Sequence, residues 1–206
     1  MALLFLLAFV YLPFFLCSFL CPRHPHVLNV YFGVPGSGKT TFAAHLTKWA
    51  LHENILIRFC RNHENRVTRL LLNSRYLKRR IDVYSNVPIT GAYRLNAKED
   101  IGFYMIENAK IIIDEAGIEY NNRSYKTFPQ ESIYFYKYHR HYRVSVDVFS
   151  QSYEDMDVTL RRLAQNFYVV RRSLVPFCVV ARRIVRKVGV DEHTKQIADL
   201  YAMGLP

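Results

Sequence analysis

A chain of 206 residues, half of them apolar and 22% charged, suits one domain with an appendage. That balance excludes both a disordered tail and a polytopic membrane protein. A net charge of +11 suits an anionic partner, with nucleic acid and anionic lipid both open. The four cysteines, Cys17, Cys21, Cys60 and Cys178, give neither a zinc spacing nor a disulfide framework, which points to a reducing compartment.

The first element is Ala2 to Cys21, twenty residues without a charge. As a helix it spans about 30 Å, the hydrocarbon thickness of a bilayer. Pro13 would kink it, which membrane helices tolerate. A signal peptide is a poorer reading, because a basic n-region and a small-residue cleavage site are both missing. A buried core helix is also poorer, because the run has no amphipathic face. Basic residues from Arg23 onward place the bulk of the chain in the cytoplasm, as a single-pass protein of the inner membrane. The expected organisation is a transmembrane anchor over 1–22, a P-loop ATPase domain over 23–175 and a basic extension over 176–206.

Pro22 to His26 reads as a stiff linker. Val27 to Phe32 is an apolar strand running into a Gly-rich loop. Thr40 to His52 has apolar residues at helical spacing. Ile55 to Cys60 is ambiguous between helix and strand, and Asn62 to Arg80 suggests an amphipathic helix. Apolar runs at Ile81–Tyr84, Lys110–Ile113, Val144–Phe149 and Phe167–Val170 then alternate with helical or irregular segments. That alternation predicts an α/β fold with a mostly parallel central sheet flanked by helices. Phe177–Ala181 and Ile184–Val188 are read as a terminal hairpin.

The chemistry starts at Gly33-Val34-Pro35-Gly36-Ser37-Gly38-Lys39-Thr40, which fits G-x-x-x-x-G-K-S/T and is followed by Thr41. Its glycines let consecutive N–H groups curl around an anion, and the following helix adds its positive end. Lys39 would reach the β- and γ-phosphates of ATP, and the Thr40 hydroxyl would bind Mg²⁺. Chance gives such a match in a chain this long on the order of one time in a hundred. The match also lies between a predicted strand and a predicted helix.

Ile111-Ile112-Ile113-Asp114-Glu115 is an apolar strand ending in two carboxylates. Asp114 would stand beside the phosphate loop and hold Mg²⁺. Glu115, pointing the other way along the pleat, would orient or deprotonate the attacking water, which favours a hydrolase over a kinase. Gln151, leaving the strand Val144–Phe149, is a candidate γ-phosphate sensor, with an ordinary turn residue as the alternative. Arg161 and Arg162 are candidates for an arginine presented to a neighbouring subunit's site, or for an exposed basic face. Tyr134 to Arg143 interleaves aromatics with basic residues, a surface suited to stacking bases, to packing or to a subunit interface. Arg161 to Lys187 is rich in arginine and holds no acidic residue, which suits a bilayer surface or nucleic acid.

Five segments in this order resemble the Zot (zonular occludens toxin) domain family, which includes assembly ATPases of filamentous phages. They are GVPGSGKTT at 33–41, VYSNVPITG at 83–91, IIIDEAG at 111–117, HRHYRVSVDVFSQ at 139–151 and DMDVTLRRL at 155–163. The resemblance runs from about residue 28 to residue 172. It implies an ASCE-type P-loop fold and a membrane ATPase that drives virion assembly and extrusion. It also implies ring-like homo-oligomers, with coat or other assembly proteins and single-stranded DNA as partners. Its site residues map to Gly33, Gly38, Lys39 and Thr40 for nucleotide, Asp114 for magnesium and Glu115 for hydrolysis, with Gln151 and Arg161 or Arg162 following.

The pattern departs from the family in two places. Filamentous-phage members carry their span after the ATPase domain, whereas the apolar run here precedes it. The residues after the DEA run are Gly117-Ile118-Glu119-Tyr120 in place of the usual aromatic and glutamine. Two other functions share the same chemistry: a DNA packaging or transfer translocase of the FtsK/HerA type, and a membrane scaffold switched by nucleotide.

Overall fold

The computed structural model describes residue 12 and residues 26–63, 65–66, 68–69, 78–119, 129–173, 178–190 and 197–203. The apolar run Ala2–Cys21 lies outside these except for Leu12, and so does most of the helix expected over Asn62–Arg80. Among the described residues, no helix is long and apolar enough to cross a membrane.

Among the described residues, eight strands form one sheet in the order β3-β2-β4-β5-β1-β6-β7-β8. They are β1 Leu28–Phe32, β2 Asp82–Ser85, β3 Tyr93–Arg94, β4 Ala109–Ile113, β5 Ser145–Ser150, β6 Asn166–Arg172, β7 Val179–Val190 and β8 Ile197–Met203. Pairing is parallel from β3 through β6 and antiparallel from β6 to β8. The helices are α1 Lys39–Leu51, α2 Ile55–Asn62, α3 Ala116–Glu119, α4 Gln130–Tyr138 and α5 Val158–Leu163. Ile55–Cys60 is thus helical.

The central strands are apolar because both of their faces are covered. Leu28, Val30 and Phe32 of β1 join Ile111, Ile113, Val146 and Val148 in a core closed by Phe135 and Tyr136 of α4 and Leu160 of α5. On the other face Tyr31, Ile112, Phe149 and Val170 pack with Ala43 and Ala50 of α1. A polar chain crosses that second face. Lys110 pairs with Asp147 at 2.6 Å, Asn29 Nδ2 donates to Asp147 at 2.8 Å, and Asn166 Nδ2 donates to Asn29 at 2.9 Å. Burial, with the Asp147 charge adding to it, pushes the neighbouring Tyr31 phenol far above its ordinary range.

The C-terminal region differs from the expected separate hairpin. Phe177 lies outside the described residues, and Val179–Ala181 and Ile184–Val188 lie in one strand and do not pair with each other. Val179–Val190 is one strand that pairs with β6, and its hairpin partner is β8. An arginine every few residues masks the continuity of this strand in a reading based on apolar runs. Its alternation is completed by pairing with β6, a tertiary contact.

Candidate functional site: the carboxyl ends of β1, β4 and β5

Because β1, β4 and β5 run parallel, the residues that leave them emerge at one end of the sheet, where α/β folds place their ligands. β1 leads into the phosphate loop and from there directly into α1. Gly38 is the helix N-cap, in the left-handed region at φ 93°. A β-carbon there would stand 2.7 Å from Val179 Cγ2, so glycine is required on both grounds. Gly33 is fixed by crowding, since its β-carbon would lie 2.8 Å from the Val170 carbonyl oxygen.

Lys39 is buried, and its Nζ donates to the carbonyl oxygens of Gly33 at 2.6 Å and Val34 at 3.2 Å. The ammonium is thereby folded back over the loop it belongs to. Ser37 Oγ is buried and has no hydrogen-bond partner among the described residues. A buried hydroxyl without a partner in this loop fits a site that takes an anion.

Thr40 Oγ1 donates to Asp114 Oδ2 at 2.8 Å, joining α1 to the end of β4. The Asp114 backbone is held in turn by Asn86, just beyond β2. Asn86 Nδ2 donates to the Asp114 carbonyl oxygen, and the Asp114 N–H donates to Asn86 Oδ1, both at 2.8 Å. One amide side chain therefore fixes both backbone polar groups of the residue that faces Thr40. Asp114 Oδ1 accepts the Glu115 N–H at 3.0 Å. A hydroxyl and a carboxylate so placed form a hard-oxygen pair of the kind that holds Mg²⁺ together with phosphate oxygens.

Glu115 departs from the strand alternation expected of it. β4 ends at Ile113, and Glu115 has φ 52°, so strand alternation no longer applies. A left-handed glutamate is an uncommon, costly conformation of the kind that clusters at functional sites. It leaves the side chain exposed one residue beyond Asp114.

Register puts Ser150 level with Phe32, so exposed Gln151 leaves the sheet beside Gly33. Arg161 and Arg162 are on α5, whose N-cap Asp157 accepts the Thr159 N–H at 2.7 Å. The Arg161 guanidinium lies 4.7 Å from the ring centroid of Tyr153, which packs edge-on against Phe32. Arg161 is thus engaged within its own chain, behind the phosphate strand, while Arg162 is exposed. The aromatic and basic segment Tyr134–Arg143 lies at the other end of the sheet, where the chain turns into β5. There Tyr134 and Tyr142 help to line a cavity of about 390 Å³ with Phe103, Tyr104, Met105 and Glu131.

Two residues of this neighbourhood escape a reading of the sequence alone. Asn86 sits within VYSNVPITG, a segment with a visible signal as a polar residue leaving a strand. Arg172, whose Nε donates to the Gly36 carbonyl oxygen at 2.7 Å, is hidden in a run of arginines.

β5 stands between the phosphate-loop strand β1 and the acid-bearing strand β4, and this insertion is the ASCE arrangement. The chain has the fold of a P-loop NTPase. No family model matches the chain, and no curated protein matches it. Among solved structures, it is similar to the N-terminal domain of zonular occludens toxin from Neisseria meningitidis. The identity is 17%, with 87% of this chain and 95% of that one covered and a TM-score of 0.44. It is also similar to the genome packaging NTPase B204 of Sulfolobus turreted icosahedral virus 2, in complex with ATP-gammaS. There the identity is 14%, the coverage 75% and 79%, and the TM-score 0.43. A third is the flagellar accessory protein FlaH of Methanocaldococcus jannaschii, at 13% identity, 86% and 91% coverage and a TM-score of 0.42. The fold assignment rests on this chain's own strand order and phosphate loop.

Proposed function

We propose that this protein is a Mg²⁺-dependent ATP hydrolase. The observation that carries the reading is the 2.8 Å bond from Thr40, at the end of the phosphate loop, to Asp114, at the end of β4. It brings the anion-binding loop and the metal-holding carboxylate of this chemistry to one point. Thr40 and Asp114 would hold Mg²⁺, which when bound would supply positive charge to the phosphates.

The protein residues do the rest. Lys39 exchanges the Gly33 and Val34 carbonyls for phosphate oxygens, and the N–H groups of the loop hold the β-phosphate. Glu115 takes a proton from water as the water oxygen bonds to the γ-phosphorus. The bond from that phosphorus to the β–γ bridging oxygen breaks, leaving ADP and inorganic phosphate, and the proton passes to solvent. Gln151 is the proposed γ-phosphate sensor. The test is phosphate release by the full chain with Mg²⁺ and ATP, abolished by Lys39→Ala. Equal release by that variant refutes the reading.

The biological setting we propose is assembly or extrusion of filamentous phage-like particles by a membrane-anchored, ring-forming ATPase. It rests on the apolar run Ala2–Cys21 and on the order of the five Zot-like segments. Coat or other assembly proteins and single-stranded DNA are its proposed partners. Deleting residues 2–21 should move the protein from the carbonate-resistant membrane fraction to the supernatant. An unchanged distribution refutes the anchor.

A further inference from the structure

The strand pair β6–β7 reaches the phosphate loop at two points. Arg172, the last residue of β6, donates from Nε to the Gly36 carbonyl oxygen at 2.7 Å. Val179, its register partner on β7, covers Gly38, with Cγ2 2.7 Å from where a β-carbon would be. Arg172 is exposed and is tied to its surroundings in two ways. Its backbone is fixed by the sheet and its guanidinium by the loop.

That bond uses one of the five donors of the guanidinium. Among the described residues no carboxylate pairs with Arg172, although a guanidinium is suited to a two-pronged contact with an oxyanion. Gly36 offers no side chain to stand in the way. It is at φ 77°, and Arg172 Nη2 lies 3.7 Å from where its β-carbon would be. Residues 36–40 carry the N–H groups proposed to hold an anion, and the guanidinium is bonded within that stretch, at Gly36.

We infer that Arg172 is a phosphate-directed arginine supplied by the same chain, with its free Nη donors engaging the γ-phosphoryl group of the bound nucleotide. This rests on the hydrolase reading above. It gives the site its own positive charge to stabilise the γ-phosphoryl oxygens as the bond to the bridging oxygen breaks. Arg161, which lies over Tyr153, is not needed for that role. The β6–β7 pair thereby becomes part of the nucleotide site.

Three variants separate a charge that acts on phosphate from a brace that only shapes the loop. Arg172→Gln keeps a donor for the Gly36 carbonyl and loses the charge, Arg172→Lys keeps the charge, and Arg172→Ala loses both. Phosphate release is measured alongside calorimetric titration with Mg²⁺–ATPγS and with ADP. The expected result is a loss of about 10²-fold or more in kcat for both Ala and Gln, with partial recovery in Lys. The preference for ATPγS over ADP should fall in Ala and Gln, with ADP affinity within about threefold of wild type. Wild-type turnover and preference in Arg172→Gln would reduce Arg172 to a brace and overturn the inference. If the unsubstituted chain releases no phosphate, the hydrolase reading fails by itself. The ATPγS preference then decides the arginine: its loss in both Ala and Gln supports the contact, and its retention in either rejects it.

Discussion

Thr40 and Asp114 are 74 positions apart in sequence, and the Thr40 hydroxyl donates to the Asp114 carboxylate at 2.8 Å. The contact links α1, the helix that follows β1, to the residue after β4, and β5 lies between those two strands in the sheet. It exists because parallel strands deliver their carboxyl ends to one side. Thr40→Ala and Asp114→Asn should each lower the apparent Mg²⁺ affinity of ATP-dependent turnover by on the order of tenfold or more. A Mg²⁺ titration of phosphate release checks this, and unchanged midpoints would separate the pair from the metal.

Asn86 holds Asp114 by both backbone polar groups, so its loss strands two hydrogen-bonding groups at a partly buried position. Asn86→Ala should cost about 1–3 kcal/mol of stability, measured by urea denaturation. It should also raise the Mg²⁺ requirement, since the Asp114 carboxylate loses its fixed direction. Asn86→Asp keeps an acceptor for the Asp114 N–H but cannot donate to the carbonyl, and is expected to fall between.

The buried chain Lys110–Asp147–Asn29–Asn166 ties β4, β5, β1 and β6 together beneath α1. Lys110→Met leaves the Asp147 carboxylate with Asn29 and no counter-charge in a fully buried position. The expected cost is about 3–5 kcal/mol. The double variant Lys110→Met with Asp147→Leu should cost less than Lys110→Met alone, because no charge remains buried. Denaturant midpoints of the two proteins decide it.

His139 ends α4 as its C-cap, fully buried, with Nδ1 2.7 Å from the Tyr136 carbonyl oxygen. Burial lowers its pKa, the Arg140 and His26 charges add to this, and the bond to Tyr136 opposes it. The unfolded chain therefore binds the proton at a higher pH than the folded one. The stability that this residue confers is complete above its ordinary pKa of about 6.5 and is lost as pH falls toward the lowered folded value. His139→Asn keeps a donor for Tyr136 and does not titrate. Its thermal midpoint should fall less steeply than that of wild type between pH 7 and pH 5.

The P-loop, the IIIDE strand end and the sheet's parallel half were legible because each has a local signature: glycine spacing, an unbroken apolar run, or helical periodicity. Thr40 and Asp114 could be paired on paper because the fold class dictates where parallel strands end. Asn86 and Arg172 could not, since their roles arise from contacts 28 and 136 positions away. β3 is two residues long and exposed, too short for any pattern. The direction of Glu115 is not legible from strand alternation, because the pleat stops two residues earlier, at Ile113. The arginines of β7 concealed a strand that the neighbouring β6 completes.

The central claim is that Lys39, Asp114 and Glu115 belong to one ATP-hydrolysing site, and Glu115→Gln tests it most directly. A rapid-quench single-turnover assay with Mg²⁺ and γ-labelled ATP, run beside a filter-binding assay for retained nucleotide, reads chemistry and binding separately. The expected result is that Glu115→Gln retains ATP as wild type does but cleaves it on the order of 10²-fold or more slowly. Lys39→Ala should fail to retain it at all. Cleavage by Glu115→Gln at the wild-type rate, or ATP retention by Lys39→Ala equal to wild type, would contradict the account.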